Sequence, residues 1–155
     1  MKLKDQVAIV TGAGRNIGEE VCKLLAREGA KIAVVEMDRS RGEKVAGDIR
    51  GADGEAMALV ANVASEADVE AMIKDIMAKW GRVDILVNNA AISDNKTILD
   101  ITKEEWDRVI SVTLTGPFLT AKYAAKAMIA GGRGGKIVNI GSTSGFHGRH
   151  RAIAY

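Results

Sequence analysis

The chain has 155 residues, 47% hydrophobic and 27% charged, with a formal net charge of +2. That length and balance suit one globular core, and the interleaved charges leave no basic footprint for nucleic acid or an anionic membrane. No apolar stretch approaches the roughly 20 residues of a membrane span. A single cysteine, Cys22, leaves no internal disulfide and suits a reducing cytoplasm, and only two histidines, His147 and His150, exclude a His-rich metal site.

The opening MKLKDQVAIV lacks a signal-peptide core, because its apolar run is a short strand over 7–11. Residues 7–18 read VAIVTGAGRNIG, an apolar run suited to a strand buried on both faces, then a glycine-rich turn. Ile17, Val21, Leu24 and Leu25 follow at i, i+4, i+7 and i+8 as the apolar stripe of a helix, and Gly29 sits where its C-cap belongs. Glu19, Glu20, Lys23, Arg27 and Glu28 read as its solvated face. A second strand is expected at 31–36, a helix over 41–50 and a third strand at 56–61. Ser65 and Asp68 open a helix whose core stripe is Val69, Met72, Ile73, Ile76, Met77 and Trp80, stopped at Gly81. A fourth strand covers 84–88. Thr102 and Glu105 form a capping box that opens one long helix reaching about Ala130, bent at Pro117, the only proline. GGRGG at 131–135 is a turn before a fifth strand at 136–140. This unbroken alternation predicts a parallel sheet covered on both sides, in a single domain without repeats.

A strand, a glycine turn and a helix start together make an anion site. Gly12 permits the tight turn, Gly18 lets the helix lie close to the sheet, and the helix N–H groups face the crevice. An ordinary βα turn also carries glycines; the acid that closes the second strand, Glu36, decides for a dinucleotide. Its carboxylate suits both ribose hydroxyls of an adenosine and repels a 2′-phosphate, favouring NAD over NADP. Arg15, Arg39 and Arg41 argue mildly the other way. Beyond the fifth strand, at the sheet end where ligands gather, stand Ser142 and Tyr155. A tyrosine beside a cation can act as acid or base toward a carbonyl or hydroxyl, and a serine can orient that oxygen. The plainer alternative is a serine-rich loop and a helix-start tyrosine.

TGAGRNIG at 11–18, NNAA at 88–91, Ser142, and Tyr155 thirteen residues later resemble the short-chain dehydrogenase/reductase family over all 155 residues. The resemblance implies a Rossmann-like, doubly wound α/β sheet of strand order 3-2-1-4-5, with the family's last strands lying beyond this chain. It implies a cofactor site at Gly12, Arg15, Asn16, Ile17, Gly18, Glu36, Asn62, Val63, Asn89, Ala90 and Tyr155, with Ser142 and Tyr155 catalytic and no metal. Thr113 occupies the position of the family's asparagine in the proton relay, Asn16 that of the middle glycine, and Ala91 that of the last glycine of NNAG. The family's lysine falls four residues after the tyrosine, past the last residue here. These departures lead us to expect a C-terminally incomplete piece of a chain of roughly 250 residues.

The resemblance implies an NAD(P)-dependent oxidoreductase, cytoplasmic, acting on a small-molecule secondary alcohol or ketone as a homo-oligomer (dimer or tetramer). A 3-oxoacyl thioester reductase is an alternative. For the 155 residues alone, a catalytically inactive dinucleotide-binding module is another. A methyltransferase reading shares the acid after strand two and leaves the Ser142–Tyr155 spacing unexplained. GFHGRHR at 145–151 reads as a solvated loop, the alternative being a contact for an anionic substrate.

Overall fold

A computed structural model describes residues 1–155. Five parallel strands, β1 (Val7–Thr11), β2 (Lys31–Glu36), β3 (Ala56–Val60), β4 (Ile85–Asn88) and β5 (Lys136–Asn139), form one sheet in the order β3-β2-β1-β4-β5. The helices α1 (Asn16–Arg27), α2 (Arg39–Gly51), α3 (Glu66–Trp80), α4 (Lys103–Ile110) and α5 (Gly116–Ala130) connect them. The expected doubly wound topology is therefore present. No helix is long and apolar enough to cross a membrane.

Strand β1 shows why its sequence is an unbroken apolar run. Val7 and Ile9 enter the core shared with Val69, Met72, Ile76 and Leu119, while Ala8 and Val10 enter the one shared with Cys22, Val45 and Ile49. A strand between two helical layers has no polar face. The stripe on α3 is core as expected, with Val69, Met72, Ile73 and Ile76 buried and Met77 and Trp80 packed against them. Ser65 caps α3 by accepting from the Asp68 amide, and Thr102 and Glu105 form the predicted capping box of α4.

Three expectations need correction. Half of the expected α1 stripe faces the core, Val21 and Leu25 packing partly buried against it, whereas Ile17 and Leu24 are 60% and 58% exposed and Gly18 and Cys22 take the fully buried positions. The positions in closest contact with the sheet admit only small residues. Glu19 is not a free surface group, since Lys23 of α1 and Lys44 of α2 both reach its carboxylate. The Lys23 hydrogen bond, first among its neighbours, lowers its pKa. The expected long helix is two, joined by a π-turn at Ser111–Thr115. Pro117 explains the break, because its ring crowds the carbonyl four residues earlier and its nitrogen donates nothing. It then sits in the first turn of α5, where a proline is well tolerated.

Cys22 is fully buried, and burial, then the nearby Glu19 carboxylate, pushes its thiol up to about 12. It is a packing residue. A second buried group ties the sheet together. Thr120, 1% exposed, donates from Oγ1 to Asn88 Oδ1 at 2.6 Å, and Asn88 Nδ2 donates to Asn139 Oδ1 at 2.9 Å. One asparagine thus links α5, β4 and β5. Thr120→Val leaves the buried Asn88 oxygen without its donor and is expected to cost about 1–3 kcal/mol. Urea unfolding checks this: the midpoint falls at unchanged slope, and an unmoved midpoint contradicts it.

Candidate functional site

The carboxyl ends of β1, β2 and β4 open on a cleft of about 330 Å³. Gly12, Arg15, Asn16, Ile17, Glu36, Val63, Asn89 and Ala90 line it, so eight of the residues expected from the sequence come together there. Its floor is set by hydrogen bonds between the first turn and the end of β4. Thr11 Oγ1 accepts from the amides of Asn89 and Ala90, each at 3.1 Å. Asn89 Nδ2 in return donates to the carbonyls of Thr11 and Gly12, each at 3.0 Å.

Two positions in the turn exclude a side chain. Gly12 has φ +61°, and a Cβ there would stand 2.9 Å from Ala90 Cα. A Cβ on Gly18 would drive into the Gly12 carbonyl oxygen and stand 2.7 Å from Asn89 Nδ2. Gly18 therefore does not line the cleft; it lets α1 approach from behind. Asn16, in the place of the middle glycine, has φ +51°. Asparagine is among the few residues that adopt this left-handed conformation, which accounts for its presence.

The start of α1 faces the cleft without a side-chain cap. Asp38, Ser65 and Thr102 cap α2, α3 and α4, whereas the N-cap of α1 is Arg15, which makes no capping bond. Uncapped N–H groups and the helix dipole together favour an anion. At the tip of β2, Glu36 accepts from Gly14 N at 3.0 Å through Oε2, and from Met37 N at 3.0 Å and Asp38 N at 3.3 Å through Oε1. Three backbone donors fix this carboxylate and leave about one of its roughly four acceptor sites for a ligand. Arg41 joins the cleft beside Glu36, its Nε 3.4 Å from Asp38 Oδ2, while Arg39 does not line it.

The remaining candidates stand elsewhere. Asn62 does not line the cleft: its side-chain oxygen accepts from Ala64 N at 3.0 Å, and its backbone N–H donates to Asp68 Oδ2 at 3.0 Å. Thr113 lies in the π-turn, where its hydroxyl donates to the Ile92 carbonyl at 3.0 Å and accepts from the Ile92 amide at 3.3 Å. It pins the peptide after NNAA instead of lining the cleft. Ser142 caps the short 3-10 turn Thr143–Phe146, accepting from Ser144 N, with the Ser144 hydroxyl 2.9 Å away. Tyr155 is 38% exposed and does not line the cleft. Sequence reasoning missed Val35, Met37, Ala61, Ala91, Ile92 and Val112, which complete the lining. They are apolar residues in or just past the strand ends, with Val112 from the π-turn, and the tertiary arrangement alone marks them.

Residues 6–155 match the family described as short chain dehydrogenase. A sorbitol dehydrogenase of Cereibacter sphaeroides is 36% identical over 148 residues, covering 96% of this chain and 57% of that protein. The chain thus spans little more than half of that relative. NAD⁺-bound xylitol dehydrogenase superposes with a TM-score of 0.95 at 33% identity, covering 100% of this chain and 60% of the other. A metagenomic short-chain oxidoreductase in complex with NADP superposes with a TM-score of 0.94 at 34% identity, covering 100% and 70%.

Because the atoms that Gly18 would strike are backbone and a hydrogen-bonded amide, they cannot yield cheaply. Gly18→Ala is expected to destabilise by about 1–3 kcal/mol, whereas Gly141→Ala, whose Cβ meets nothing within 4 Å, is expected to leave thermal unfolding near its wild-type midpoint. Equal midpoints for the two variants would contradict the close-approach role of Gly18.

Proposed function

This chain belongs to the short chain dehydrogenase family, and from that premise we propose that the whole protein is an NAD-dependent oxidoreductase interconverting a secondary alcohol and a ketone. The observation that carries the cofactor reading is the uncapped start of α1 beside the fixed Glu36 carboxylate, in one cleft. The diphosphate of a nicotinamide dinucleotide suits the amides around Gly12–Gly18, Glu36 suits a ribose hydroxyl, and Ala61 and Val63 offer apolar contact for a base. The nicotinamide, when bound, supplies or takes the hydride.

Glu36 supports NAD over NADP. Its charge opposes a 2′-phosphate, and one of the two cleft arginines, Arg41, is already shared with Asp38. Tyr155 is assigned the proton transfer to or from the substrate oxygen, and Ser142 the orientation of that oxygen. Thr113 contributes by holding Ile92 at the cleft wall, through its paired hydrogen bonds. Polyols are the substrate class to try first, since sorbitol and xylitol dehydrogenases are among the proteins this chain resembles. A cytoplasmic setting suits the single buried thiol of Cys22. A homo-oligomer, dimer or tetramer, suits the exposed Leu114 of the π-turn and Phe118 and Ile129 of α5, spaced four and eleven residues apart.

Titration calorimetry is expected to find NADH bound at least about tenfold more tightly than NADPH, a difference of about 1.4 kcal/mol; the reverse order would overturn the assignment of Glu36. In the whole protein, Tyr155→Phe is expected to abolish polyol oxidation while leaving NADH affinity within about twofold of wild type. Retained turnover would remove the phenol from the reaction.

A further inference from the structure

The remaining glycine of TGAGRNIG, Gly14, has no conformational reason to be glycine. Unlike Gly12 it is not at positive φ, so the backbone there accepts any L residue. Its surroundings are what exclude a side chain. Gly14 is buried, and a Cβ on it would stand 2.6 Å from Glu36 Cγ, 2.9 Å from Glu36 Oε2 and 2.7 Å from Arg41 Cβ. At Gly12 and Gly18 the nearest atoms are mostly main chain. At Gly14 all three are side chain, and two belong to Glu36.

Residue 14 is pressed against Glu36 by hydrogen bonds. Its own N–H donates to Oε2 at 3.0 Å, and the preceding amide, of Ala13, donates to the Val35 carbonyl at 3.1 Å. The turn is therefore tied to the tip of β2. Met37 N and Asp38 N hold the other carboxylate oxygen, at 3.0 and 3.3 Å. A methyl group on residue 14 would push on Cγ, between the Glu36 backbone and all three anchors. The carboxylate yields more readily than main chain does, because it sits on a rotatable, only partly buried side chain. Yielding separates Oε2 from Gly14 N.

We propose that Gly14 is a specificity-determining residue for the cofactor, acting through Glu36. The missing side chain keeps the carboxylate where it meets a ribose hydroxyl and opposes a 2′-phosphate. This rests on the assignment of Glu36 to the adenosine ribose. It adds that the choice between NAD and NADP depends on steric room at an uncharged position of the glycine turn. A methyl group there moves the negative charge off its seat, in a cleft that Arg15 and Arg41 also line.

The test is titration calorimetry with NADH and NADPH on the whole protein, as wild type, Gly14→Ala, Glu36→Ala and the double variant. Gly14→Ala is expected to lower the ratio of NADH to NADPH affinity at least about fivefold, with the loss falling on NADH. A general loosening of the turn would weaken both cofactors alike, since both carry the diphosphate. A fall in the ratio of less than about fivefold overturns the proposal. In the Glu36→Ala background the two Glu36 atoms that a Cβ would meet are gone. Adding Gly14→Ala there is expected to move the ratio by less than about twofold, and a larger change overturns action through Glu36. Should Gly14→Ala fail to fold, the double variant decides: folding regained upholds the contact, and an unfolded double variant overturns it. A wild type without preference for NADH removes the assignment of Glu36 and this proposal with it. A preference that Glu36→Ala abolishes and Gly14→Ala keeps removes the role of Gly14 alone.

Discussion

The whole site depends on how closely α1 approaches the ends of β1 and β4. The missing side chain at Gly18 lets α1 close on the turn, the one at Gly12 lets that turn close on Ala90, and four hydrogen bonds among Thr11, Gly12, Asn89 and Ala90 hold the turn against the end of β4. A methyl group at either glycine would fall on backbone, where relaxation is limited. The first turn of α1 is thereby brought over the crevice, and its N–H groups are left without a cap from the chain itself. A row of helix amides without a side-chain cap thus follows from a packing constraint, and such amides are costly unless a ligand or water serves them.

The same constraint explains the electrostatics of the rim. The tip of β2 lies beside the turn, so Gly14 donates to Glu36, and the next two amides of the chain fix the other oxygen. A carboxylate held by three donors is a rigid acceptor. Arg15 and Arg41 border the same cleft, and Arg41 Nε is also 3.4 Å from Asp38 Oδ2.

Much of this was legible in the residues, for identifiable reasons. Apolar runs such as VAIV and ILV, alternating with capped helices, specify a parallel sheet because a strand buried on both faces cannot carry polar residues. Thr102 with Glu105, and Ser65 with Asp68, announced helix starts through local hydrogen bonding that needs no tertiary partner. The break before Pro117 was legible as a bend and not as a π-turn, since the register of a helix interruption depends on what packs around it. The outward turn of Ile17 and Leu24 was hidden for the opposite reason: the stripe follows helical spacing, but the sheet admits only small residues at that distance. Asn62 and Thr113 were named by position, and the structure shows each committed to a local hydrogen bond that position alone does not reveal.

The central claim is that the amides at the start of α1 and the Glu36 carboxylate together hold a dinucleotide. A crystal structure of the protein grown with NAD⁺ tests it most directly. The account requires the diphosphate against the backbone of residues 12–18 and the adenosine ribose within hydrogen-bond distance of Glu36. A dinucleotide ordered anywhere else on the molecule would contradict it.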